Sequence, residues 1–354
     1  MSESAAPSLL IHIGPRKTGT TAVQHAFSST RESLRSHGVV YPGEVRQHFM
    51  AANRLMGRRQ LWEEDHERPS SEEPWRDLMD EIGDAPFGVV STEVLSQARP
   101  HHIRRIVDAA DRRAPRVVIT YRPFDELLVS TWQQLVKEGL REPLDQWARR
   151  AVVDHPEKSD VPFPRVLDLA SLVETWGQVV GIDNIAVVFV DRARRAAVFE
   201  AFEQILALPE GFLSNQQADR TKRSLTLEEA ELLRQVNLRL PRERATFRRH
   251  RHLLKVVAGW LDQNPPAARD HRIVLPGDVV DAARVRSDEM AVRLQAMDGR
   301  LTVFGALDSL SSSAADRDGA DTVPEAASEA PATVDLAVAA DWLSGLVDRL
   351  PAAE

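Results

Sequence analysis

Over the first two hundred positions, apolar residues come in short unbroken runs rather than in alternation. "LLIHI" at 9–13, "FGVVS" at 87–91, "RVVITY" at 116–121 and "NIAVVFV" at 184–190 are four of them. A strand with one wet face alternates apolar and polar side chains, so a continuous run fits a parallel strand covered by helices on both faces. Between these runs the apolar residues recur every three or four positions. That spacing predicts helices over 20–36, about 74–82, 101–112, 124–138 and 166–180. Strand and helix in alternation predict a three-layer α/β/α fold with a central parallel sheet and right-handed crossovers. Ligands of such sheets bind beyond the carboxyl ends of the strands, so the residues just after each run carry the chemical interest.

Beyond residue 195 the pattern turns helical, with amphipathic stretches at 196–208, 226–240 and 245–262. Thr226 and Glu229 have the spacing of a capping box at the start of the second. The organisation expected is a disordered N-terminus (1–8), one α/β domain with a helical C-terminal half (9–305), a disordered Ser/Ala/Asp/Glu-rich linker (306–333), and a short amphipathic helix (334–354).

Composition narrows the function. The net charge of −8 argues against a general affinity for nucleic acid but leaves room for a local anion pocket. The basic run "RERATFRRHRHLLK" at 242–255 reads first as a solvated helix face and second as a surface for an acidic substrate. With no cysteine, disulfides, thiolate metal sites and cysteine nucleophiles are excluded. No apolar stretch is long enough for a membrane span, and "MSESAAPSLL" lacks the layout of a secretory signal. A cytoplasmic enzyme or binding protein is the expectation.

Three strand ends bear candidate chemistry. After the first comes "GPRKTGTT", with Gly14 and Gly19 spaced as in a Walker loop but Thr20 where the Walker lysine belongs; the lysine is Lys17. A phosphate here would meet the backbone N–H groups of Gly19–Thr21, the positive end of a helix and the Lys17 charge. After the second strand stands Glu93, placed either as a general base or as an acid interacting with a helix dipole. After the third come Arg122 and, two helical turns beyond Pro123, Ser130, a pair able to grip one phosphate or else a local Arg122–Asp125 ion pair with Ser130 as filler.

Taken together these motifs resemble the sulfotransferases that use 3′-phosphoadenosine 5′-phosphosulfate, and of these the bacterial type. "PRKTGTT" is similar to the family's 5′-phosphosulfate loop, P-K-x-G-T-T, with Lys17, Gly19, Thr20 and Thr21 in register and Arg16 and Thr18 between and before them. "VVITYRPFDELLVS" resembles its 3′-phosphate motif through Arg122 and Ser130, and "VVSTEVLS" resembles the strand and turn that carries the base. "ADRTKRSLTLEEAELLRQVN" is similar to a segment laid over the cofactor, offering Arg220, Lys222, Arg223 and Ser224. The resemblance covers residues 9 to about 240. Ala22 stands where an adenine-stacking aromatic often follows the double threonine, and the R-K-G-x-x-G segment is missing.

What the resemblance implies is metal-free, in-line sulfuryl transfer to a hydroxyl or amine of a small-molecule or glycan acceptor. Lys17 would neutralise the leaving bisphosphate, and Glu93 would be the base, with Glu44 and His48 as alternatives. The rivals are a P-loop kinase or NTPase holding Mg²⁺ with a loop threonine and Asp191, and a nucleotide-binding relative without activity. His101 and His102 read as helix-surface residues, and Trp62, Trp75, Trp132 and Trp147 read mainly as core.

Overall fold

The computed structural model describes residues 7–58, 71–110, 113–153, 162–191, 193–214, 224–239, 256–257, 259, 273–297 and 299–310. The chain divides into two compact units. The first gathers Met1–Phe124, Asp154–Asp219 and Arg286–Ser311, and the second gathers Asp125–Val153, Arg220–Val285 and Ser312–Glu354.

The first unit holds a six-stranded sheet in which every neighbouring pair is parallel. Its strands are β1 (Ser8–Ile13), β2 (Val39–Val40), β3 (Phe87–Ser91), β4 (Ala114–Tyr121), β5 (Ile185–Phe189) and β6 (Thr302–Phe304), in the order β2-β3-β1-β4-β5-β6. The four long runs of the sequence are thus the four central strands. The edge strands β2 and β6 have only two and three residues, too short to leave a periodic signal.

Helices cover both faces. On one lie α1 (Thr20–Ser29), α2 (Arg31–Ser36) and α10 (Ala197–Ile205), whose Val23, Phe27, Leu34, Val198, Phe199 and Phe202 pack with Leu10, Val89, Val118 and Val188 of the sheet. On the other lie α4 (Glu73–Ile82), which packs on β3, and α9 (Leu169–Val180), which packs on β4 and β5 and carries α5 (Pro100–Asp108) against it. The helix expected over 20–36 is interrupted. Thr30 turns its hydroxyl back onto the Ala26 carbonyl at 2.7 Å and leaves the helical region at φ −110°, so α1 ends and α2 restarts. α3 (Phe49–Leu55) and α8 (Pro162–Leu167) add short helices the periodicity did not show. The helix Gly277–Gln295 was also unforeseen; its Arg286 and Arg293 reach Asp168, the N-cap of α9, at 3.2 Å each.

The order of strands sets the functional edge. The chain leaves β1 toward β2 and leaves β4 toward β5, so the connections after these two adjacent strands run in opposite directions. Their carboxyl ends form the crevice at the topological switch point.

The second unit is helical in its described residues. It contains α6 (Phe124–Lys137) from Asp125 onward, α7 (Leu144–Val153), α11 (Leu227–Arg239) and the Gly277–Gln295 helix up to Val285. Asn237 donates to the carbonyls of Val136 and Leu140 at 2.8 and 2.9 Å, closing the C-terminus of α6 against α11. The capping box forms as the spacing predicts: Thr226 N–H donates to Glu229 at 2.9 Å and Glu229 N–H to Thr226 at 3.3 Å. Trp75, Trp132 and Trp147 are buried core residues, in keeping with their reading from sequence, while Trp62 lies outside the described residues.

Candidate active site

The loop after β1 takes its shape from two left-handed residues. Lys17 has φ 72° and Gly19 φ 78°, with Thr18 between them at ordinary negative φ. Alternation of this kind turns successive backbone N–H groups to one side, making an anion-binding nest. Gly19 is also the N-cap of α1, so the nest opens onto the positive end of that helix. Gly14 permits the close approach beneath: a Cβ there would fall 2.5 Å from the Thr120 carbonyl oxygen and 2.8 Å from the Thr18 hydroxyl. Its N–H donates to Ser96 at 3.0 Å, and Thr18 donates to the Pro15 carbonyl at 2.7 Å.

Arg122, at the end of β4, reaches across the crevice and donates from Nη1 to the Lys17 carbonyl at 3.0 Å. The bond braces the one non-glycine residue of the loop that sits in the left-handed region, where a side chain is disfavoured by about 1–2 kcal/mol. Thus the two cationic residues picked out from separate motifs meet at the switch point. Thr20 is buried at the start of α1, Thr21 is exposed beside it, and Arg16 and Lys17 are half-exposed.

Glu93 stands just past β3, on the other side of β1. The amide of Gln24, buried on α1, donates to its Oε2 at 3.3 Å. The helix that opens at the nest therefore also orients the carboxylate, so Lys17, Thr20, Arg122 and Glu93 are brought to one edge of one unit.

The alternative bases fare differently. His48 is buried, its Nδ1 accepts the Ser91 N–H at 3.0 Å, and its Nε2 meets the Pro42 carbonyl at 2.8 Å. Both ring nitrogens are engaged by the main chain and burial lowers the pKa, which makes it a neutral brace for the segment after β2. Glu44 lies exposed on that same segment. Ser130 belongs to the second unit, where its hydroxyl donates to the Leu127 carbonyl at 3.2 Å. Ser224 lies exposed ahead of α11; Arg220, Lys222 and Arg223, like the basic run at 242–255, lie outside the described residues.

Sequence reasoning passed over His12. It sits in the middle of β1, fully buried, with Nδ1 2.8 Å from the Ser91 hydroxyl and Nε2 3.2 Å from that of Thr120. Thr120 in turn lies 3.1 Å from the Thr18 hydroxyl, so a buried polar chain ties β3, β1 and β4 to the loop. Phe202 of α10 packs edge-on against the imidazole at 4.9 Å. A single histidine inside "LLIHI" was the available signal.

Burial lowers the His12 pKa to about 3. Because the folded value lies below the unfolded value, near 6.5, its stabilising effect is complete above that pH and is lost as pH falls toward 3. One such proton steepens the loss by up to about 1.4 kcal/mol per pH unit. Urea unfolding between pH 6.5 and 4 should therefore show a shallower acid slope for His12→Gln than for the wild type; parallel slopes would contradict the neutral, buried imidazole.

Two cavities of about 450 Å³ each, one lined by Trp75, Met79 and Arg113 and the other by Leu10, Val118 and Phe304, do not include any residue of the loop. Among the described residues no cluster of three or more His, Asp or Glu could hold a metal ion, and no helix is long and apolar enough to cross a membrane. No family model and no curated protein matches the chain. Among solved structures, a sulfotransferase from Alicyclobacillus acidocaldarius is similar at 16% identity, over 70% of this chain and 96% of that one, with a TM-score of 0.42.

Proposed function

We propose that the protein transfers the sulfuryl group of 3′-phosphoadenosine 5′-phosphosulfate to a hydroxyl or amine of a small-molecule or glycan acceptor. The observation that carries this reading is the turn at Lys17–Gly19, braced by Arg122 at the switch point, with the Glu93 carboxylate held by Gln24 of the helix that the turn opens. The residues suit a donor with two separate phosphates. The nest and the α1 N-terminus suit the 5′-phosphate, with Thr20 and Thr21 supplying hydroxyls, and Arg122 brings a guanidinium for the 3′-phosphate. The role given to Ser130, like that of Arg223 and Ser224, rests on the sequence resemblance alone.

In the reaction, the acceptor oxygen or nitrogen attacks sulfur as the bond between sulfur and the 5′-phosphate oxygen breaks. Glu93 takes the acceptor proton, and the electron pair stays on the departing 3′,5′-bisphosphate, where Lys17 offsets the new charge. Positioning and charge neutralisation carry the rate, as in phosphoryl transfer. Protein cations meet this need without a metal. The reading includes a cytoplasmic protein that does not act on nucleic acid.

Isothermal titration with adenosine 3′,5′-bisphosphate and with ATP·Mg²⁺ tests it. Tight bisphosphate binding is expected, whereas ATP binding alone would favour the kinase reading, in which Asp191 would hold the metal. In the structure, Asp191 accepts the Ala193 N–H at 2.7 Å. Arg122→Ala should weaken bisphosphate binding about 10- to 100-fold, the ~1.5–3 kcal/mol typical of hydrogen bonds to charged groups, with Arg122→Lys recovering part. An unchanged Kd in the alanine variant would remove Arg122 from the site.

A further inference from the structure

A second group of cations gathers where the short helix bearing Glu93 ends. The turn Glu93–Gln97 is a 3₁₀-helix, which at about 2 Å per residue carries the backbone some 8 Å along from Glu93 to Gln97. α3 and α8 both pack on this turn, and α3 also packs on α5. Arg58 follows α3, Arg99 is the N-cap of α5, and Arg165 lies in α8 with its Nη2 3.4 Å from the Gln97 carbonyl. Burial first, and then the charge of Arg99, lowers the guanidinium pKa of Arg58; burial first, and then the charges of Arg99 and Arg58, lowers that of Arg165.

The described residues do not neutralise this concentration of charge. Among the described residues no carboxylate pairs with any of the three arginines, and Nη1 of Arg58 is buried without a hydrogen-bond partner. Nη1 itself is closed to solvent, so an oxyanion would meet the other N–H groups of these guanidiniums and offset the charge gathered there. α5 adds to the field, having Pro100 in its first turn and no acidic residue there. His102 accepts the Arg99 N–H through Nδ1 at 3.2 Å, so its neutral ring carries the proton on Nε2 as a further donor, and His101 stacks beside it at 3.9 Å. Burial and then the surrounding positive charges hold the His102 pKa down at about 4.

We propose that Arg58, Arg99 and Arg165, with His102, form an oxyanion site beside Glu93 that receives a sulfate or carboxylate group of an acidic acceptor. The acceptor assignment rests on the sulfuryl-transfer reading; the anion site itself does not. One end of the acceptor would be fixed by the arginines, and a hydroxyl or amine elsewhere on it would be presented to Glu93.

Calorimetric titration with a sulfated uronic-acid disaccharide and with inorganic sulfate tests the proposal on four proteins: wild type, Arg58→Gln/Arg165→Gln, the exposed single variant Arg99→Gln, and Lys17→Ala. The wild type should bind the disaccharide in a salt-dependent manner. The double variant should lose tenfold or more, Arg99→Gln should lose severalfold, and Lys17→Ala should bind as the wild type does. Bisphosphate affinity of the double variant should stay at the wild-type level, which also shows that it is folded. Equal disaccharide affinity in all the arginine variants, or loss of binding only in Lys17→Ala, would overturn the site. Binding of inorganic sulfate without the disaccharide would overturn the acceptor assignment. If the wild type binds the disaccharide but not the bisphosphate, the sulfuryl-transfer reading fails while the anion site stands.

Discussion

Lys17→Ala is expected to lower kcat for sulfuryl transfer by about 10²–10³-fold, the usual effect of removing one preorganised group that stabilises charge developing in the transition state. The loss should fall on kcat more than on binding of the bisphosphate, because in the proposed site backbone N–H groups and Arg122 would still hold the phosphates. Lys17→Gly separates charge from conformation. At φ 72° glycine is the easier residue, so this variant should be at least as stable as the wild type and yet as inactive as the alanine variant. Turnover by labelled-donor assay, alongside thermal unfolding, reads both. Intact turnover in either variant would end the assignment of the loop.

Glu93→Gln should reduce kcat by about 10²–10⁴-fold, the range for a positioned general base, with little change in bisphosphate affinity. The amide keeps the size of the carboxylate and can still accept from Gln24, whose 3.3 Å bond orients the group, so the fold at this edge should be preserved. The companion variant Glu44→Gln, at an exposed position, should turn over at the wild-type rate. His48→Gln should register as lost stability, since its ring links the Ser91 N–H to the Pro42 carbonyl. If Glu44→Gln rather than Glu93→Gln stopped the reaction, the base would have to be reassigned to the segment after β2.

Much of the framework could be read from local pattern. The four central strands lie within a residue or two of the runs that predicted them, and the capping box at Thr226 and Glu229 forms as spaced. These features are encoded in neighbouring residues: continuous β-branched runs for strands buried on both faces, a hydroxyl and a carboxylate three positions apart for a helix start. β2, β6, α3 and α8 were missed because each is shorter than the window in which periodicity becomes measurable. The Gly277–Gln295 helix was missed because much of what fixes it is remote in sequence. Its Arg286 and Arg293 are paired with Asp168, more than a hundred positions away, and nothing in a local pattern announces such a pair.

The sequence by itself determined the kinds of groups present and their order after the strands: glycines and a lysine after the first run, a glutamate after the second, an arginine after the third. Only the tertiary structure decided which of them meet. Strand order is a long-range property, and it is the placement of β1 between β3 and β4 that sets Glu93 and Arg122 on either side of the loop. It also set the alternatives to Glu93 in different surroundings. His48 became a buried brace and Glu44 a surface residue, while His12, unnoticed in its apolar strand, became the link between loop and sheet, because burial and hydrogen-bond partners are properties of the packed chain. The gathering of Arg58, Arg99 and Arg165 has the same origin: three arginines on separate segments acquire a common field only when α3, α5 and α8 converge on the turn that follows Glu93.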